Sequence, residues 1–174
     1  LTCDPVILYG YKNEIARQEP KIGQEYILLY SYDNNMNTDE DVALVRNVAK
    51  EFMLPVYSIG FYHEWCDRNV NADPIELLGY FKHARYIITD TFHGTVLSLI
   101  TESNFATKLR GNSNKLRNLL LEYGLENRIF HSLDECKGIL LQDVEYKEVN
   151  KILEKNCSSS KNYLLSEIMK TIGK

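Results

Sequence analysis

Apolar residues along the chain fall into short runs that have the length of β-strands. These runs are apolar throughout instead of alternating with polar residues, which is typical of strands buried on both faces of a parallel sheet. Four such runs are predicted as strands, over residues 25–32, 54–60, 85–90 and 104–110.

Apolar residues at helical spacing separate these runs and follow the last of them. Thr38 and Asp41 form a capping-box pattern ahead of the first helix. Asp73 is the expected cap of another helix, in which Pro74 takes the first position and Glu76 reaches back towards the cap. Besides the helix that begins at Asp73, helices are predicted over residues 38–53, 95–102, 114–125, 146–156 and 160–172.

The alternation of strands and helices predicts the fold class. We expect an α/β protein with a Rossmann-like, doubly wound parallel sheet and helices on both faces. A length of 174 residues suits one compact domain, residues 1–174, with C-terminal helices over residues 145–174. Because the sequence begins "LTCDPVILYG", without a methionine, we expect a mature or truncated piece of a longer chain.

Composition excludes several classes of protein. A hydrophobic share of 44% is enough for a core, and the net charge of -4 argues against broad binding of nucleic acid. No apolar run approaches the roughly 18 residues of a membrane span. A zinc site or disulfide framework is not expected, because the four cysteines form no C-x-x-C pair; they are Cys3, Cys66, Cys136 and Cys157.

The stretch "ITDTFHGT", residues 88–95, joins a predicted strand to a predicted helix. Ligands of open parallel sheets bind beyond the carboxyl ends of the strands. The first N–H groups of a helix lack intrahelical acceptors and carry partial positive charge, so they favour an anion such as phosphate. Gly94 would allow a ligand to approach the backbone closely, and Thr95 would offer a hydroxyl group.

Basic residues follow this stretch, and we expect them to converge on the same opening. Lys108 and Arg110 end the fourth predicted strand, and Lys115 and Arg117 open the next helix. Residues 108–117 could equally form a solvated basic segment, and a glycine after a strand is most often turn chemistry. The three histidines outside the stretch, His63, His83 and His131, are expected to be structural. Of these, His63 could reach the opening.

The residues from Asp90 to Thr95, "DTFHGT", resemble the hallmark D-[ST]-F-H-G-[TS] of the polysaccharide pyruvyl transferase family. "DP" near the start, "YILLY", Pro74 to Glu76 and "YGLENR" match the family in the same order. Two departures stand beside the match. The family more often has arginine where Lys115 stands, and "NFATKLR" lacks the N-K-P-F turn that usually precedes the fourth strand.

The resemblance implies the C-terminal, donor-binding half of a two-domain enzyme similar to GT-B transferases. The missing N-terminal domain would hold the acceptor sugar, and the fragment would be inactive alone. The implied reaction transfers the pyruvyl group of phosphoenolpyruvate to two hydroxyls of a sugar and forms a cyclic ketal. The acceptor would be a saccharide or a lipid-linked oligosaccharide of cell-surface polysaccharide (exopolysaccharide) biosynthesis, in the cytoplasm or at the inner face of the membrane, with neither metal nor other cofactor.

The same resemblance suggests roles for individual residues. His93 is the candidate general acid, because histidine titrates near neutrality, at about 6.5 when unperturbed; it could instead only hold the phosphate. The expected substrate-binding residues are Thr91, Gly94, Thr95, Lys108, Arg110, Lys115 and Glu76.

Two other functions remain open at this point. One is a GT-B glycosyltransferase domain that uses a nucleotide-sugar donor, whose ribose Glu76 could hold. The other is a non-catalytic, Rossmann-like module that binds an anion or a partner domain. The face left open by the absent half could also drive homodimerisation.

Overall fold

The computed structural model describes residues 2–111 and 113–172 and contains one six-stranded sheet in this part of the chain. Each strand is short, and the four central strands are buried except at Tyr30 and Lys108, which are partly exposed. The strands are β1 (Ile27–Tyr30), β2 (Val56–Ile59), β3 (Arg68–Val70), β4 (Tyr86–Thr89), β5 (Phe105–Lys108) and β6 (Ile129–Phe130).

The strand order is β3-β2-β1-β4-β5-β6, and every pairing is parallel. The chain therefore winds outward in one direction from β1 and in the other direction from β4. This doubly wound order confirms the predicted α/β, Rossmann-like sheet. The winding reverses between β1 and β4, and ligands of such sheets bind beyond the carboxyl ends of the strands at that switch point.

Helices cover both faces of the sheet. They are α1 (Pro5–Tyr9), α2 (Lys12–Ala16), α3 (Asp39–Phe52), α4 (Pro74–His83), α5 (Phe92–Ile100), α6 (Asn114–Glu122), α7 (Leu133–Leu140) and α8 (Tyr146–Ile172), with a 3-10 turn over Glu126–Arg128. α3 and α7 pack on one face, and α1, α4, α5, α6 and α8 contribute to the core on the other.

Strand β1 shows why these runs are apolar at every position. Ile27 and Leu29 belong to the core under α3 and α7, whereas Leu28 belongs to the opposite core. All three residues have no exposed surface. A strand covered by helices on both faces has no solvent side, so alternation with polar residues is absent.

Helix boundaries differ from the prediction at two places. Helix α5 begins at Phe92 instead of at Thr95, because the Thr91 side chain caps it. The two stretches predicted at the C-terminus form one continuous helix, α8. No glycine or proline lies between Asn156 and Ser160 to end the first stretch.

Thr38 and Asp73 cap the backbone N–H groups of their helices as predicted, but the predicted return contacts from the Asp41 and Glu76 carboxylates are absent among the described residues. Thr38 Oγ1 accepts from the Asp41 N–H at 3.2 Å, and Asp73 Oδ1 accepts from the N–H groups of Ile75 and Glu76, each at 2.8 Å. Neither acidic side chain reaches back to its cap. The Asp41 carboxylate turns towards β5, and that of Glu76 contacts Lys21 Nζ at 3.3 Å.

Several short elements had no sequence prediction. Strand β3 lies between the second predicted strand and the helix that begins at Asp73, where no element is predicted, and Arg68 and Asn69 in it are exposed. An edge strand of three residues needs no apolar pattern, since it is covered little on either face. The other unpredicted elements, α1, α2, β6 and α7, are also short, with at most eight residues each.

Candidate functional site

Threonine side chains fasten the start of α5 to the switch point. Thr89 Oγ1 donates to the Tyr30 carbonyl at 2.7 Å and accepts from the Thr91 N–H at 3.1 Å. These bonds join the carboxyl ends of β1 and β4. The turn that follows β4 is therefore held against the neighbouring strand.

Thr91 is the cap of α5, and this position explains its burial. Its Oγ1 accepts from the Gly94 N–H at 2.8 Å. The N–H groups of Phe92 and His93, which come first in the helix, have no acceptor among the described residues. Two free donors and the positive end of the helix dipole therefore meet at the switch point, as an anion site requires.

Gly94 permits a close approach of α5 to the end of β4. A Cβ atom at this position would lie 2.7 Å from Thr91 Oγ1 and nearer still to Thr89 Oγ1. Such contacts are shorter than real Cβ atoms show. Gly94 therefore allows α5 to begin directly against the end of β4, and Gly94 itself is buried.

Thr95 lies inside the protein. It has no exposed surface, and its hydroxyl donates to the Thr91 carbonyl at 3.2 Å and lies 3.3 Å from Thr107 Oγ1. The expected position at the opening assumed that the helix begins at Thr95. Because α5 begins three residues earlier, Thr95 faces β5, and its hydroxyl does not face the opening.

His93 is exposed in the first turn of α5, where the Phe92 ring lies between it and the predicted site residue Lys115. Its ring makes an edge contact with Phe92, with ring centroids 5.5 Å apart. Lys115 Nζ lies 3.8 Å from the centroid of the same Phe92 ring. Phe92 thus brings the imidazole and one ammonium group to the same end of the helix.

Lys108 and Arg110 also reach this edge of the sheet, but each is paired with a buried carboxylate. Lys108 Nζ contacts Asp41 Oδ1, Arg110 Nη2 lies 3.2 Å from Asp41 Oδ2, and Arg110 Nε donates to Asp90 Oδ2. The side chains of Asp41 and Asp90 are 3% and 0% exposed. Two cations and two anions give this cluster no formal net charge.

The pairing shifts the ionisation of two members of the cluster. Burial alone would raise the pKa of the Asp41 carboxyl, but the hydrogen bonds and charges of Lys108 and Arg110 outweigh it and hold that pKa below its ordinary value. Burial alone would lower the pKa of Arg110, but its bonds to Asp90 and Asp41 raise it. Asp41 and Arg110 are therefore both charged near neutral pH.

Two buried oxygens at the switch point lack hydrogen-bond partners among the described residues. They are Ser31 Oγ and Asp90 Oδ1. Tyr30 pairs with Thr89, so these two residues come next on neighbouring parallel strands. Buried polar atoms are nearly always hydrogen-bonded in proteins, so these two oxygens stand out from the rest of the described core.

The structure leaves other predicted residues outside this arrangement. Glu76 pairs with Lys21 at the start of α4, and no contact joins it to His93 or to the ion-pair cluster in the described part of the chain. His63 is buried, with Nε2 3.1 Å from the Ser31 carbonyl, and His83 Nε2 lies 2.9 Å from the Gln18 carbonyl. His131 is exposed beyond β6.

Sequence reasoning missed Asp41 and Ser31. Asp41 was interpreted as part of a helix cap, and its spacing from Thr38 gave no sign that the carboxylate turns towards β5. Ser31 follows β1 without any motif. The signal that finds both residues is the strand order, which places β1 beside β4 and β4 beside β5.

Neither a cluster of metal-ligating side chains nor a membrane-spanning helix is present among residues 2–111 and 113–172. No group of three or more histidine, cysteine, aspartate or glutamate side chains could hold a metal ion. None of the helices there is both long and apolar enough to cross a membrane.

The fold is similar to halves of solved glycosyltransferases of GT-B architecture. The glycotransferase of kitacinnamycin superposes with a TM-score of 0.59 at 10% identity over 90% of this chain and 46% of its own. The spinosyn forosaminyltransferase SpnP gives 0.52 at 12% identity, over 100% and 48%. SnogD from Streptomyces nogalater gives 0.52 at 14% identity, over 82% and 41%. The chain spans less than half of each of these proteins, and identities this low show the fold alone.

Sequence comparison gives the family. No curated protein matches the chain significantly, but the family model described as polysaccharide pyruvyl transferase matches residues 1–105. This is more than half of the chain and includes the D-T-F-H-G-T motif at the start of α5. Lys108, Arg110 and Lys115 lie beyond the match. On the evidence of this match, the chain belongs to the polysaccharide pyruvyl transferase family.

Proposed function

We propose that the chain is the donor-binding part of an enzyme that transfers a pyruvyl group from phosphoenolpyruvate to a sugar. The observation that carries the proposal is the exposed His93, which lies beside two free backbone N–H groups at the switch point of the sheet. The family to which the chain belongs supports the same function. The phosphate of the donor binds these N–H groups, and the imidazole faces the donor's carbon skeleton.

The reaction needs one proton donor and a binding site for an anion. A sugar hydroxyl adds to C2 of the donor while its methylene carbon takes a proton and becomes a methyl group. The C2–O bond to phosphate then breaks, and a second hydroxyl of the sugar closes the ketal. The hydroxyls lose two protons in total, of which one balances the new C–H bond and the other leaves with phosphate. His93 supplies the proton to the methylene carbon as general acid.

The cations divide into two groups in this proposal. Lys115 has no carboxylate partner among the described residues and lies next to Phe92, so it contacts the donor phosphate directly. Lys108 and Arg110 are already neutralised, but 27% and 32% of their side chains remain exposed. Their outward N–H groups are available to the donor carboxylate, while Asp41 and Asp90 fix their positions.

The remainder of the enzyme also belongs to the proposal. A second domain preceding this chain completes the active site, and this part alone does not turn over. The product is a pyruvylated saccharide of a cell-surface polysaccharide or of its lipid-linked precursor, made in the cytoplasm or at the inner face of the membrane.

The test is a His93→Ala substitution in the intact enzyme. Loss of a general acid lowers the rate by about 100- to 10,000-fold, measured as phosphate release together with the mass of the pyruvylated acceptor. His131→Ala, which changes an exposed histidine elsewhere, is the matched control and should retain the parent rate. A His93→Ala rate within a few-fold of the parent would contradict the role of general acid.

Donor identity is tested separately by isothermal titration calorimetry. Phosphoenolpyruvate should bind the intact protein, and Lys115→Ala should weaken that binding roughly tenfold, as expected for loss of one hydrogen bond to a charged group. Tight binding of a nucleotide sugar, with no binding of phosphoenolpyruvate, would identify a glycosyltransferase instead.

A further inference from the structure

A cavity of about 550 Å³ lies on the same edge of the sheet as His93, beyond the ends of β1 and β2. The loop after β1 contributes Asp33 and Asn37, and the loop after β2 contributes Tyr62, Glu64 and Trp65. None of these residues belongs to the family motif or to the ion-pair cluster. The cavity is therefore separate from the predicted donor site.

Aromatic rings form an exposed wall of this cavity. Tyr62 is 65% exposed, and Trp65 is partly exposed. The Trp65 ring is held in place, because its Nε1–H donates to Asn37 Oδ1 at 2.9 Å and the Arg46 guanidinium lies 6.0 Å from its centroid. A ring fixed before binding loses little entropy when a ligand packs on it.

The loop that carries these rings is also fixed by hydrogen bonds. The Tyr62 N–H donates to Asp33 Oδ1 at 2.9 Å, which ties the two loops together. The N–H of the buried His63 donates to Asn69 Oδ1 at 2.8 Å, and Ser58 Oγ donates to the Phe61 carbonyl at 2.7 Å. The cavity therefore exists before any ligand binds.

The charge of the cavity limits its ligands. Asp33 and Glu64 are carboxylates, and no basic residue lines the described cavity wall. An anion such as phosphoenolpyruvate is disfavoured there. Carboxylates accept hydrogen bonds from hydroxyl groups, and aromatic faces pack against the C–H face of a sugar ring. A few polar groups beside exposed rings thus fit a neutral saccharide.

Position in the sheet relates this cavity to His93. Strand β1 lies between β2 and β4. Neighbouring strands are about 4.8 Å apart, so the ends of β2 and β4 are roughly 10 Å apart. A disaccharide can extend across that gap, with one sugar in the cavity and the next beside the imidazole.

We propose that this cavity binds a neutral sugar ring of the acceptor, next to the sugar that receives the pyruvyl group. Its link to pyruvyl transfer rests on the proposed function, but the binding of sugar does not. The donor half of the enzyme thereby contributes to recognition of the acceptor.

Trp65 is the single tryptophan of these 174 residues, so the part of the emission change that is lost in a Trp65→Phe variant reports on the cavity. The intact protein is titrated, without phosphoenolpyruvate, with methyl glycosides and disaccharides of glucose, galactose, mannose and N-acetylglucosamine. We expect a saturable change in emission with at least one of these sugars. Glu64→Gln, which keeps the shape of an exposed side chain, should weaken binding about tenfold through loss of hydrogen bonds to a charged group.

Tyr62→Ala should also weaken binding about tenfold, the upper end of the value of an aromatic contact. Tyr163→Ala on α8 removes a ring of similar exposure, 57%, and should leave binding unchanged. Absence of a saturable signal with every sugar overturns the proposal, as does a signal produced by uridine nucleotides alone. Since the donor is absent from this assay, failure of phosphoenolpyruvate binding or of ketal formation would be observed separately.

Discussion

Substitution of Gly94 by alanine tests whether close contact with β4 is the reason for glycine in the motif. Alanine is a better helix former than glycine by roughly 1 kcal/mol, so propensity alone predicts a more stable protein. The new methyl group, however, would lie 2.7 Å from Thr91 Oγ1 and closer to Thr89 Oγ1. Both threonines are buried and bonded to backbone groups, so neither can turn away freely.

The two effects differ in size. Overpacking of a buried position costs about 1 to 3 kcal/mol, and displacement of the Thr91 cap costs about 1 kcal/mol more. Against a gain of at most about 1 kcal/mol from propensity, the free energy of unfolding should fall by roughly 2 kcal/mol. For a chain of this length, that is a decrease in Tm of roughly 4 to 8 °C.

Gly138→Ala is the matched control for this measurement. Gly138 lies within α7, and a Cβ atom there would meet nothing within 4 Å. The same chemical change should therefore stabilise the protein by up to about 1 kcal/mol. Urea unfolding of both variants gives the comparison. Equal effects of the two substitutions, or a Gly94→Ala variant as stable as the parent, would refute the steric argument.

Two further substitutions test buried charged groups. Asp41→Asn should lower the free energy of unfolding by roughly 1.5 to 3 kcal/mol near pH 7. Because the pKa of Asp41 is lowered in the folded protein, its stabilisation is present above the ordinary carboxyl pKa and is lost as the pH falls through the folded value. The variant should thus lose less stability than the parent between about pH 7 and about pH 3 in urea unfolding, and a parallel loss would contradict the assignment. Arg128→Met removes a buried guanidinium that donates to the Phe105 and Gln142 carbonyls and to Asn104 Oδ1, and should cost about 3 kcal/mol or more. The exposed Arg117→Met control should change stability by at most about 0.5 kcal/mol, and similar melting temperatures for these two arginine variants would be evidence against the structural role.

The same edge of the sheet carries two environments of opposite character. Around α5 and β5 lie free N–H groups, Lys115 and the neutral ion-pair cluster, which suit an anionic donor. Around the loops after β1 and β2 lie the rings of Tyr62 and Trp65 and two carboxylates that have no ion-pair partner in the described part of the chain, and these suit an uncharged sugar. In the function proposed here, the sheet thus separates donor and acceptor by charge, with His93 between them.

The sequence alone determined the features that depend on local periodicity. The strands over β1, β2, β4 and β5 were predicted because runs covered on both faces are apolar throughout. The start of α4 followed from Asp73 and Pro74, whose capping chemistry involves only adjacent residues. The motif also placed His93 at a strand-to-helix junction, and there it lies, exposed, in the first turn of α5.

The tertiary structure decided which side chains meet and which way they face. Asp41 pairs with Lys108 and Arg110 across 67 and 69 positions of sequence. That contact depends on the order of the strands in the sheet, in which β4 lies between β1 and β5. No residue near Asp41 in the sequence specifies that order. Thr95 faces inward because the Thr91 cap starts α5 three residues early, and each residue turns a helix by about 100°. Local patterns fix the elements, whereas the direction of a side chain depends on where an element begins and what packs beside it.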